Sequence, residues 1–191
     1  MSRSEKDIRK MHTDFRAEVL ELIMRYRNEP RTLVEKMAEA LLEISGADQV
    51  VYQGEGTKRI TVNAEGLGEL GTIPEEYCAG CPHADIHNEV YKDGYTMMND
   101  CSKGYNGIHV HEKCPVKSAM KQLLYYEGKP YGFLAVNYIR DYHEFTEMGR
   151  ETFNQICNVF QITYAEINAE QQGRRAEAVR MTIGASSSTT T

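Results

Sequence analysis

Two apolar runs joined by three turn residues constrain this chain more than any other feature. Ser118 to Tyr126 (SAMKQLLYY) and Pro130 to Ile139 (PYGFLAVNYI) flank Glu127-Gly128-Lys129. Runs this short and this rich in aliphatic and aromatic residues, bounded by a Gly-containing turn, read as a β-hairpin. Period-two alternation puts Met120, Gln122 and Leu124 on one face of the first strand and Ala119, Lys121 and Leu123 on the other. On the second strand Phe133, Ala135 and Asn137 share a face. Most such residues fill a core. Asn137, polar within an apolar strand, is the best candidate for a polar pocket residue, followed by Asp100 and Asn99.

The flanks are helical. Ile8, Met11, Phe15, Val19, Leu22 and Tyr26 recur every three or four residues, which is one apolar stripe of a long helix. Pro30 suits the first turn of a second helix striped by Val34, Met37, Leu41 and Ile44, with Gly46 as its stop. Asp48 to Gln53 and Lys58 to Asn63 read as a strand pair. A short helix over Asp85 to Lys92 and a strand over Tyr95 to Asp100 are expected next. A final helix begins after His143, striped by Phe153, Ile156, Phe160, Tyr164 and Ile167. Beyond Ala169 the chain turns polar, and ASSSTTT at its end reads as a linker. Strands grouped between terminal helices predict an α+β fold with an antiparallel sheet. The segment from Gly66 to Lys117 is longer than an ordinary connection, as functional lids and binding loops are.

Composition excludes some classes. A net charge of −6 gives no positive field for non-specific nucleic-acid binding. No run of about eighteen apolar residues is present, so no membrane span is expected. The charged start, MSRSEKDIRKMHTDF, is no secretory leader. A cytoplasmic protein is expected, and its five cysteines are then thiols, ligands or redox groups rather than fixed disulfides.

The order of motifs resembles the GAF domain, a small-molecule-binding relative of the PAS domain. HNEVYKDGYTMMNDCSK is similar to that family's helix, Gly turn and strand ending in an acidic residue, here Asp100. VKSAMKQLLYYEGKPYGFLAVNY is similar to its hairpin, and LVEKMAEALLEISGADQVVYQ to its helix and first strand. The resemblance spans roughly residues 30 to 168. It implies a central antiparallel sheet of six strands or so, with flanking N- and C-terminal helices and a long lid over a ligand pocket. It also implies a homodimer through terminal helices that carry a signal to an output domain or partner signalling protein. The expected division is 1–29 as a dimerisation helix, 30–168 as the sensory domain and 169–191 as the end of a signalling helix and a linker. On this reading Phe15 lies at the dimer face, and Phe15→Asp should weaken the dimer while leaving the core folded. No output-domain signature is found in the chain.

Four of the cysteines fall in the lid as C-x2-C-x19-C-x12-C: Cys78, Cys81, Cys101 and Cys114. Thiolates are soft ligands that can close a tetrahedral zinc site or hold an iron–sulfur cluster. The two-residue spacing lets both sulfurs of one turn face an ion, and His83 is a spare ligand. Packed lid cysteines and thiol–disulfide switching are the competing readings. Cys157, on the apolar side of the last helix, reads as core.

Two enzyme-like or chromophore readings compete with a sensory domain. HVHEKCPVKSAM is similar to the segment that carries the catalytic thiol of free methionine-(R)-sulfoxide reductases, which would make Cys114 the nucleophile and Cys78 or Cys81 the resolving thiol. That family's acidic residues are missing here: the chain has Ser118-Ala119-Met120 and Ala135-Val136-Asn137-Tyr138 in their places. Bilin-binding relatives attach the chromophore at a cysteine followed by His, whereas Cys114 is followed by Pro115. The expectation is therefore a binding and signalling domain rather than an enzyme, with an unidentified small ligand and a zinc or iron–sulfur centre.

Overall fold

The computed structural model describes residues 5–54, 58–74, 77, 91–104 and 111–186. Helix α1 spans Glu5–Tyr26 and α2 spans Pro30–Ser45. Strands follow at Gln49–Gly54 (β1), Ile60–Asn63 (β2), Tyr95–Met98 (β3), Ser118–Tyr126 (β4) and Lys129–Tyr138 (β5). Helix α3 runs from Glu147 to Ser186. Short 3-10 turns lie at Gly68–Gly71 and Cys101–Lys103.

Among the described residues the sheet has five strands in the order β2-β1-β5-β4-β3, all neighbours antiparallel. The hairpin forms the centre, with β4 pairing along its whole length to β5. Its turn is tight because Glu127 (φ 51°) and Gly128 (φ 77°) both take left-handed backbone, the geometry that matches the twist of two adjacent strands. Gly132 has a different duty. A side-chain Cβ there would lie 2.1 Å from the Gln53 carbonyl oxygen, so only glycine lets β1 close on β5.

Alternation decides which face each residue joins. Val50, Tyr52, Ile60, Met120, Leu124, Leu134 and Val136 point to the helices and form one core with Phe15, Val19, Leu33, Met37, Leu41, Phe153, Ile156 and Phe160. Phe15 is fully buried and stacks on Phe160 at 6.0 Å between ring centroids. The expectation that Phe15 lies at a dimer face is thereby corrected: Phe15→Asp would place a carboxylate inside the core. Among the described residues, the large apolar side chains exposed on α1 are Leu20 and Met24, at 64% and 75%.

Helix α3 continues through Ala169 without a break. Its 40 residues span about 60 Å at 1.5 Å per residue. The longest strand, with 10 residues, covers about 33 Å. The helix thus outruns the sheet on which its first half packs. No helix among the described residues is long and apolar enough to cross a membrane.

Candidate functional site

The face of the sheet turned away from the helices carries the polar chemistry. Gln49, Val51 and Gln53 of β1, Thr61 and Asn63 of β2, Thr96 and Met98 of β3, Ala119, Lys121 and Leu123 of β4, and Phe133, Ala135 and Asn137 of β5 share it by register. Part of the long middle segment covers this face: Tyr91 packs on Val51, Leu123, Phe133 and Ala135 in a second, smaller core. A sheet face covered by a long connecting segment is a place where a ligand can be enclosed.

One end of the face is closed by an amide network. Gln49 is 1% exposed. Its Nε2 donates to the Gly71 carbonyl at 2.8 Å and to Asn63 Oδ1 at 2.9 Å, while its Oε1 accepts from Asn137 Nδ2 at 2.8 Å. Asn63 Nδ2 also donates to the Gly71 carbonyl. The network ties β1, β2 and β5 to the turn at Gly68–Gly71. Asn137 therefore lies on the expected face, and its amide nitrogen braces the sheet. Just beyond this end, the Asp48 carboxylate accepts from the backbone N–H groups of Ile139 and Arg140, at 2.7 and 2.9 Å, and pairs with the Arg140 guanidinium at 3.0 Å.

Two cations lie beyond the amides on the same face. Lys121 is 3% exposed, and its Nζ lies 3.6 Å from the centroid of Phe133 and 5.1 Å from that of Tyr91. Arg59, just ahead of β2, brings its guanidinium carbon to 6.0 Å from the same Phe133 ring and donates from Nε to Gln53 Oε1. None of the five strands contains an Asp or Glu. Sequence reasoning assigned Lys121 to this face but did not single it out. The signal was present: a lysine within an apolar strand, in phase with small and apolar neighbours. Gln49, Arg59 and Tyr91 gave no comparable signal, because they meet only through strand pairing and the fold of the middle segment.

Asn99 and Asp100 sit where β3 ends. Asn99 Oδ1 accepts from the Phe145 N–H at 3.0 Å, and its carbonyl accepts from the Ser118 hydroxyl at 2.7 Å. Asp100 caps the Cys101–Lys103 turn, accepting from the Ser102 N–H and hydroxyl and pairing with Lys103 at 3.0 Å. Those hydrogen bonds, the Ser102 hydroxyl foremost, hold its carboxyl below the usual range. The structure thus uses both residues as local fasteners at the sheet end.

Of the proposed ligand cysteines, Cys78 and Cys81, with His83, lie outside the described residues. Cys101 is buried beside Met98 and Ala119, with Val116 packed against them. Cys114 is half-buried in a turn where its N–H donates to the His111 carbonyl at 2.8 Å. His111 stacks on Tyr77 with centroids 4.4 Å apart. The Cys101 N–H donates to the Lys117 carbonyl at 2.7 Å. The segments bearing Cys101 and Cys114 therefore approach one another near β4, and Tyr77 joins the second of them. Among the described residues no group of three or more His, Cys, Asp or Glu side chains is arranged to hold a metal ion. Cys157 is fully buried in the core, as expected, and burial pushes its thiol well up.

No protein-family model matches the chain, and no curated protein matches it. Solved structures do match it in fold. The phycoerythrobilin-bound GAF domain of a cyanobacterial phytochrome aligns at a TM-score of 0.61 with 13% identity, over 83% of this chain and 98% of that one. Free methionine-R-sulfoxide reductase from Neisseria meningitidis, in complex with its substrate, aligns at 0.59 with 14% identity, over 89% and 96%. The GAF domain of an Acinetobacter phosphoenolpyruvate-protein phosphotransferase aligns at 0.55 with 15% identity, over 90% and 99%. The chain has the GAF fold: an α+β architecture with an antiparallel sheet, as its sequence led one to expect.

Proposed function

We propose that this protein is a regulatory GAF-like domain that binds a small molecule on the sheet face opposite α1, α2 and α3 and passes the signal on through α1 and α3. The observation that carries this reading is the burial of Gln49, Asn137 and Lys121 on that face. Buried polar groups cost free energy unless satisfied, and their concentration on the sheet face opposite α1, α2 and α3 suits a place built for recognition. Neighbours of the same fold include a bilin-bound domain, a substrate-bound reductase and a methyl-accepting chemotaxis protein. Each makes a ligand or a signal a reasonable task for this fold. Helix α3, long enough to outrun the sheet, suits transmission to an output domain, and Leu20, Met24 and Ile162 offer apolar contacts for pairing with a second copy.

Backbone amide shifts in isotope-labelled protein test the reading. A metabolite mixture, or a ligand retained through gentle purification, should move resonances of Val51, Leu123, Phe133 and Ala135. Shifts confined to the helical side would refute it.

A Cys-ligated zinc or iron–sulfur centre in the lid is a second reading. What supports it is the approach of the Cys101 and Cys114 segments and the stacking of Tyr77, next in sequence to Cys78, on His111. Elemental analysis of anaerobically prepared protein tests it. About one zinc per chain, or brown protein containing iron, is the supporting result; metal-free protein with an intact fold rejects it. A thiol reductase would instead consume free methionine sulfoxide in the presence of dithiothreitol, and no turnover is expected.

A further inference from the structure

We propose that the open cleft where α2 ends beside β2 docks a basic segment of a partner protein. Its apolar floor takes the stem of a lysine or arginine side chain, and Glu43 and Glu65 take the charged head.

The cleft holds about 630 Å³ and is open to solvent rather than enclosed. The second half of α2 forms one wall, and the end of β2 with Ala64 and Glu65 forms the other; Arg140 stands beside them. Val62 pairs with Val50, a member of the helical core, so the floor lies on the helical side of the sheet. It is separate from the face that carries Lys121 and Asn137. Leu42 and Val62 are half-buried and pack against the core from its edge. Ala47 and Ala64 complete the floor, and their short side chains leave it depth. A chain of three or four methylenes can lie on such a floor while its charged end stays in water.

The charge of the lining selects the partner. Four carboxylates face one guanidinium: Glu39, Glu43, Asp48 and Glu65 against Arg140. Asp48 and Arg140 neutralise each other at 3.0 Å, and Glu39 pairs with Lys36 at 2.7 Å. Glu43 and Glu65 are exposed, and their side chains have no hydrogen-bond or ion-pair partner among the described residues. Glu43 also stands in the last turn of α2, which carries no basic residue. The carbonyl ends of a helix already concentrate negative charge there. A carboxylate at that position adds to it, whereas a cation would relieve both. The open form decides between a free amine and a side chain. Small-molecule sites enclose most of their ligand's surface, and this cleft does not. A side chain presented on a protein surface brings neighbouring contacts that exclude water around it.

Calorimetry and amide-shift mapping on the full chain test this with matched Ser/Gly nonapeptides that carry a pair of lysines, norleucines or glutamates. The lysine peptide should bind roughly three- to tenfold more tightly than the norleucine peptide, as two exposed ion pairs allow. Its binding should weaken as salt is raised, and it should shift the amides of Leu42, Gly46, Val62 and Ala64. The glutamate peptide should be the weakest. Glu43→Gln with Glu65→Gln, both at exposed positions, should bring the lysine peptide down to the norleucine level. Glu151→Gln with Glu166→Gln changes the net charge equally at exposed positions outside the cleft, and should leave the preference intact. Cadaverine, a free diamine, should bind more weakly than the lysine peptide. Cadaverine binding as tightly would assign the cleft to a free amine and overturn the protein partner. Equal binding of the lysine and norleucine peptides, equal losses in the two double variants, shifts away from the cleft, or no binding by any probe would overturn the site itself. None of these outcomes bears on the opposite sheet face, which is probed separately.

Discussion

Gln49 shows how much a single buried side chain organises here. Its amide meets three partners on β2, β5 and the Gly68–Gly71 turn. Gln49→Leu should cost about 1–3 kcal/mol, because Asn137 and the Gly71 carbonyl would lose partners in a dry setting. Urea denaturation checks this, and an unchanged midpoint would show that water replaces the amide. Tyr131 is the opposite case. Its hydroxyl is buried on the helical side and has no hydrogen-bond partner among the described residues. Burial, reinforced by Tyr52, Tyr164 and Cys157, pushes its pKa up, and burial does the same to Tyr52. A phenol whose folded pKa is raised contributes stability that is complete below the unfolded pKa of about 10. That stability is lost as pH rises beyond it, because the unfolded chain ionises first. Stability should therefore fall above about pH 10, and less steeply in Tyr131→Phe. Denaturant midpoints from pH 8 to 11 measure the slope; parallel curves for the two proteins would reject the assignment.

At the scale of elements, the β4–β5 hairpin is the part that local chemistry specifies best. The turn residues, the alternation and the apolar runs all agree, so the sequence alone located both strands to within a residue. The partner of the hairpin is less forgiving. Because β1 passes so close to Gly132, Gly132→Ala would force the Gln53 carbonyl away and open the β1–β5 ladder. A loss of about 2 kcal/mol or more is expected, in the range of other core overpacking changes. Gly128→Ala should cost less, since it strains only an exposed left-handed turn. Thermal melts of the two variants give the order, and a milder Gly132 variant would contradict it. Nothing in the local sequence around Gly132 shows this demand, because the clashing carbonyl lies on a strand 79 positions away.

At the scale of the whole molecule, the question is what the helical side of the domain meets. Phe15, on the apolar stripe, is consumed by the core, while Leu20 and Met24 on the same helix remain exposed. If the domain pairs with a second copy through α1, Leu20→Glu together with Met24→Glu should halve the mass seen by light scattering and leave the circular dichroism unchanged. A mass that is already monomeric in the parent protein, or unaltered in the variant, would reject pairing at these residues. Phe15→Asp is expected to unfold the protein instead, through a carboxylate buried without a partner.

The sequence by itself determined the α+β class, the hairpin, the helical stripes and the sorting of β4 and β5 residues between two faces. These follow from period and turn chemistry, which act between neighbours in the chain. It also singled out the middle segment as unusual for its length. Only the tertiary structure decided which stripe residues are core and which are free, since a stripe does not say what covers it. It alone brought Lys121 and Arg59 to the ring of Phe133 and spent Asn137 on a brace with Gln49. Those groups come from β1, β4, β5 and the residue just ahead of β2. Their chemistry depends on strand order and register, which are set by packing across the molecule rather than by any local pattern.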